Sequence, residues 1–105
     1  MTAASSSDQP NSLAILIVDD EPNIRRVLSV GLESHGHKVI AVGNGRDALA
    51  EANQRSFDLA FVDLRLGTED GMNLIPGLLA ASPWMKVVVI TAYATIKTCV
   101  DAIVR

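Results

Sequence analysis

Three apolar runs in this chain end in residues that can do chemistry. Asp19, Asp20 and Glu21 follow the first run, Asp63 follows a second and Thr91 a third. Brought to one edge, these carboxyl groups would repel: two carboxylates ~5 Å apart at an effective dielectric of ~20 cost roughly 3 kcal/mol. A hard divalent cation relieves that repulsion. Mg²⁺ takes one or two carboxylates and completes its shell with water and phosphate oxygens. The residue types therefore describe a Mg²⁺ pocket beside a phosphoryl group, with the Thr91 hydroxyl placed to bond that group. Any one of these aspartates is more simply a helix cap or turn support. The whole set on strand ends is not, because capping needs one carboxylate per turn. No Cys/His cluster competes: Cys99 is alone, and His35 and His37 flank Gly36 as solvated turn residues. Gly43-Asn44-Gly45 lacks the Lys-Ser/Thr tail of a phosphate-binding loop. Trp84, after Ser82-Pro83, reads as a packing residue.

The positioning elements alternate along the chain. Ala14 to Val18 is a short continuous apolar run, the mark of a strand buried on both faces. Ile24, Val27, Leu28, Gly31 and Leu32 repeat at helical spacing, with Pro22 suited to the start and Gly36 to the end. Val39–Val42 reads as a second strand, and Asn44 as the cap of a helix that turns Ala48, Leu49 and Ala52 inward. Leu59–Val62 is a third strand. Leu74, Ile75, Leu78 and Leu79 mark a third helix, which Pro76 forces to start near Asn73 or to kink there. Val87–Ile90 is a fourth strand. Ile96, Cys99, Val100, Ile103 and Val104 form a fourth helical stripe. This (βα)4 alternation implies an α/β fold, a doubly wound parallel sheet with right-handed crossovers. Ligands of such sheets lie at the carboxyl ends of the strands, where the acidic residues stand.

Composition narrows the function. A chain of 105 residues fits one domain, expected over residues 13–105 behind a mobile polar tail at 1–12. The net charge of −3 gives no basic surface for a nucleic-acid backbone, and 4% aromatics give no stacking platform. The single cysteine rules out an internal disulfide framework and suggests a reducing compartment. No apolar run reaches the 18 or so residues of a membrane span, and the first dozen residues do not form a secretory signal. A cytoplasmic protein with no direct nucleic-acid or membrane partner is expected.

The pattern resembles the receiver domain of two-component response regulators. The stretches that carry the likeness are Ile15-Leu16-Ile17-Val18-Asp19-Asp20-Glu21, Asp63-Leu64-Arg65-Leu66, Asp70-Gly71 with Leu74, and Val89-Ile90-Thr91-Ala92. The resemblance implies a flavodoxin-like, CheY-like sheet of order 2-1-3-4, with a fifth strand to follow. It implies that a sensor histidine kinase passes a phosphoryl group to Asp63, and that the chain catalyses at most its own phosphorylation and dephosphorylation. Asp20 is then a direct Mg²⁺ ligand and Asp19 a ligand through water. Asp63 and the backbone carbonyl of Arg65 complete the protein's share. Thr91 and Ala92 contact the phosphoryl group, and Glu21, Tyr93 and the Arg65 side chain border the site. Asp63-Leu64-Arg65-Leu66-Gly67 and Ile90-Thr91-Ala92-Tyr93-Ala94-Thr95 are most similar to receivers of sigma-54-dependent transcription activators. Pro83-Trp84-Met85 is similar to the alginate-type regulator of that class.

The family pattern continues into a fifth strand ending in Lys-Pro and a fifth helix. This chain reaches Arg105 before them, and Lys86 and Lys97 do not take the place of that lysine. On this reading it is a fragment of a longer regulator. Its fourth strand is an open edge, and it forms a homodimer or swapped oligomer through the region of the fifth strand and helix. Two other functions use similar parts. A Mg²⁺-dependent phosphatase or phosphotransferase for small molecules would place its aspartates two apart on the first strand, whereas Asp19 and Asp20 are adjacent. A receiver fragment that only binds partners is the other. Flavin binding is remoter still, since no Ser/Thr-rich loop follows the first strand.

Overall fold

A computed structural model describes residues 12–90 of the chain. Its elements are β1 (Ala14–Val18), α1 (Pro22–Glu33), β2 (Lys38–Val42), α2 (Gly45–Gln54), β3 (Leu59–Asp63), β4 (Arg65–Leu66), β5 (Glu69–Asp70), α3 (Ile75–Ala81) and β6 (Lys86–Ile90). The long strands form one parallel sheet of order β2-β1-β3-β6, and β4 pairs antiparallel with β5 as a separate small hairpin. With β6 as the fourth long strand, this is the expected 2-1-3-4 order. The hairpin is an addition, too short to show any periodicity in the sequence.

The sheet is two-sided because its central strand is apolar throughout. Ile15, Leu16, Ile17 and Val18 are all at most 1% exposed. Leu16 and Val18 join Ala60 and Val62 of β3 beneath Ala48 and Ala52 of α2 and Leu74 and Leu78 at α3, which makes the main core. Ile15 and Ile17 alternate to the other face, the side that carries α1. Register fixes both sets: Val18 lies opposite Val42 on one side and Val62 on the other.

Helix starts follow local chemistry. Pro22 opens α1 with no side-chain cap at Glu21. Asn44 caps α2 by accepting the Asp47 N–H at 2.8 Å, as its position predicts. The conflict at Pro76 is resolved by a 3-10 turn over Gly71–Asn73, after which α3 begins with Pro76 in its first turn, where no N–H is needed.

Three expectations need correction. The inward stripe of α1 is narrower: Leu28 and Leu32 are half-buried, but Val27 is 69% exposed and no residue of α1 is fully buried. The helix packs on β2 and β1, and of the expected stripe only Leu28 and Leu32 are half-buried there, while Ile24 is exposed along with Val27. Trp84 is 90% exposed, and its neighbour Met85 does the packing instead. His37 is more than a solvated turn residue: its Nδ1 accepts the Leu13 N–H at 3.1 Å and ties down the entry to β1. The fourth helical stripe, with Cys99, lies outside the described residues, as does the tail up to residue 11.

Candidate functional site

The carboxyl ends of β1 and β3 are neighbours in the sheet, and that adjacency builds the site. Asp19 continues the β1 ladder by donating its N–H to the Val42 carbonyl at 3.1 Å. Asp63 closes β3, paired with Ile90 of β6. Both are buried, at 4% and 9% exposure, whereas Asp20 is open to solvent. One carboxylate oxygen from each of Asp19, Asp20 and Asp63 lies within 4.8 Å of the others. Glu21 stands apart from this cluster among the described residues. Its side chain is exposed and its contribution is a backbone N–H that reaches Asp19 Oδ1 at 2.9 Å.

Backbone amides support the other carboxylates too. Arg65 N–H donates to Asp63 Oδ1 at 3.2 Å, and Gly67 N–H donates to Asp20 Oδ2 at 2.8 Å. Below the cluster, Arg25 Nη1 of α1 donates to the main-chain carbonyl of Asp19 at 2.6 Å. Gly43 leaves room for that guanidinium, since a Cβ there would stand 3.0 Å from Arg25 Nη1.

These donors do not cancel the charge. Burial pushes the Asp19 carboxyl above the ordinary range, and the charges of Asp63 and Asp20 push it further, against the Glu21 N–H. Three acidic groups at such spacing, one of them destabilised in its charged form, fit a hard divalent cation with oxygen ligands.

The structure thus brings together Asp19, Asp20 and Asp63, and sets Arg65 beside them at the start of the hairpin. Thr91, Ala92 and Tyr93 lie outside the described residues. Sequence reasoning missed Arg25 as a support of Asp19 and Gly67 as a partner of Asp20. Arg25 could have been found from its place one turn into a helix that starts beside the acidic run. Gly67 carried no signal beyond being a glycine. Gly71 has a plainer role. A Cβ there would collide with the backbone carbonyl of Asp63, so only glycine lets the turn after the hairpin pass so close to the site.

Comparison with known proteins agrees with this geometry. The response regulator receiver domain profile matches residues 15–105. The alginate biosynthesis transcriptional regulatory protein AlgB of Pseudomonas putida is 40% identical over 97 residues, which are 92% of this chain and 22% of that protein. The chain therefore spans about a fifth of the length of the curated relatives it matches. A response regulator of Burkholderia pseudomallei, solved with a phosphorylated aspartic acid, a calcium ion and citrate, superposes with a TM-score of 0.77 at 36% identity, covering 86% of this chain and 53% of that one. TrrA of Thermotoga maritima, solved with Mg²⁺ and BeF, gives a TM-score of 0.70 at 31% identity, covering 77% of this chain and 70% of that one. With its sheet order, its acidic strand ends and these relatives in agreement, the chain belongs to the response regulator receiver domain family.

Proposed function

We propose that Asp63 accepts a phosphoryl group from a sensor histidine kinase, and that the phosphorylated chain switches an output domain that controls transcription. The observation that carries this is the cluster of Asp19, Asp20 and Asp63 at neighbouring strand ends, their oxygens within 4.8 Å of one another. Asp19, Asp20, Asp63 and the main-chain carbonyl of Arg65 would hold Mg²⁺. When bound, the ion neutralises the carboxylates and the incoming phosphoryl oxygens. The remaining work is positioning, which is most of what phosphoryl transfer requires. The Arg65 N–H engages Asp63 Oδ1 and leaves Oδ2 as the attacking oxygen. A P–O bond forms at Oδ2 as the P–N bond of a phosphohistidine breaks, and the imidazole leaves with the electron pair. Thr91 and Ala92 contact the new phosphoryl group, and Tyr93 borders it. The donor kinase and the lone cysteine suit a cytoplasmic setting.

Intact-mass spectrometry after incubation with acetyl phosphate and Mg²⁺ tests the assignment. The chain gains one phosphoryl group and Asp63→Asn gains none. Labelling of the mutant, or none of the unchanged chain, overturns it.

The partner reading includes a second copy of this chain. Val27 and Val30 of α1 and Val88 of β6, among the described residues, are 69%, 61% and 41% exposed, apolar side chains that association could cover. Sedimentation equilibrium is expected to show a dimer at tens of micromolar, weakened by Val27→Asp. A monomer throughout that range overturns this part alone.

A further inference from the structure

Each aspartate of the acidic cluster accepts one backbone N–H, but not from the same kind of place. Asp19 and Asp63 take theirs from Glu21 and Arg65, two residues ahead in their own turns. Asp20 takes its own from Gly67, 47 positions away, at 2.8 Å. Gly67 lies between β4 and β5 with φ +63°, in the left-handed region that favours glycine. A Cβ at this position would meet nothing within 4 Å. The glycine is therefore not there to make space. What the position supplies is a turn conformation and an amide aimed at Asp20.

Resting on the metal reading above, we infer that Gly67 is a positioning residue for the metal site. Its N–H fixes the Asp20 carboxylate through Oδ2 and leaves Oδ1 for the cation. Asp20 is the exposed member of the cluster, and an exposed carboxylate otherwise samples several rotamers that binding must restrict. Holding it beforehand lowers that cost. The coupling is reciprocal: a cation that steadies Asp20 also steadies the hairpin. The far side of the hairpin is tethered as well, because Glu69 Oε1 accepts the Gly45 N–H at 3.3 Å.

The test compares Mg²⁺ affinity, by calorimetry, for the unchanged chain, Gly67→Asn and Gly67→Pro. Asparagine tolerates positive φ and keeps the N–H; proline, whose φ is fixed at about −65°, loses both the N–H and the turn that aims it. Gly67→Asn is expected to bind Mg²⁺ like the unchanged chain, and Gly67→Pro, without both things the position supplies, at least roughly tenfold more weakly. In ¹⁵N-glycine-labelled chain, the Gly67 amide is expected to exchange more slowly as Mg²⁺ is added. Circular dichroism checks that the variants fold; if Gly67→Pro does not, the exchange measurement on the unchanged chain decides. Equal Mg²⁺ affinity of folded Gly67→Pro, equal weakening by Gly67→Asn, or a Gly67 amide indifferent to Mg²⁺ overturns the inference and leaves the metal reading standing. An unchanged chain that binds no Mg²⁺ overturns both.

Discussion

Asp19 is where the residue-scale physics is most exposed. Its carboxyl is pushed up, first by burial and then by Asp63 and Asp20. In the folded chain without metal it therefore binds a proton more tightly than in the unfolded chain. Stability from that group is fully present below the unfolded value and is lost as pH rises through the raised folded value. Asp19→Asn keeps the oxygen that accepts the Glu21 N–H and removes the charge. Urea midpoints in the absence of metal are expected to favour Asp19→Asn over the parent increasingly as pH rises through the raised folded value toward neutrality. A gap that is constant with pH contradicts the origin assigned to the shift. Sequence alone placed this aspartate correctly at a strand end. It could not say that Asp19 would be buried and Asp20 exposed, because that depends on how the turn after β1 meets the hairpin.

Among the elements, the passage from β3 to α3 carries the tightest constraints. It contains the hairpin, the 3-10 turn and Pro76 within one short stretch. A Cβ at Gly71 collides with the main chain of Asp63 and approaches Leu64 Cα to 3.2 Å, and backbone cannot swing aside. Gly71→Ala is expected to lower stability by about 3 kcal/mol and to disturb Asp63 with it. Gly77 makes the contrast. Its Cβ would meet only the Leu49 side-chain end, at 2.8 Å, and that end can turn away. Gly77→Ala is expected to change stability by under about 1 kcal/mol in either direction, since alanine's helix propensity offsets the crowding. Chemical denaturation of the two variants side by side checks the pair. Equal effects would mean that the Gly71 turn relaxes more easily than its backbone contacts imply.

For the whole molecule, sheet and site are one object. The strands that bury Leu16, Val18 and Val62 are the strands whose ends carry the acidic groups, so anything that relieves the charge also stabilises the fold. A ligand that binds only the folded state adds about 2.7 kcal/mol at a hundred times its dissociation constant. For a domain of this size that is roughly 10–20 °C in Tm. Mg²⁺ is expected to raise Tm of the parent by that order, reversibly on chelation, and to do far less for a chain carrying both Asp20→Asn and Asp63→Asn. An equal rise in that double mutant would place the ion elsewhere.

The strand order came with the resemblance to receivers, whereas the alternation of elements and the sheet edge at which the chemistry sits were legible in the residues themselves. Those follow from local signals: continuous apolar runs for strands buried on both faces, helical spacing between them, and carboxylates at the ends of the runs. Pro76 even announced the delayed start of α3. Packing set which residues of α1 are covered, left Trp84 in solvent while Met85 packs, and formed the hairpin between β3 and α3. It also decided that Arg25 and Gly67 serve the acidic cluster. Each of these depends on contacts between residues far apart in the chain, or on the orientation of one element against another. A pattern of residue types along one strand or helix does not encode such relations; the packing of the completed sheet does.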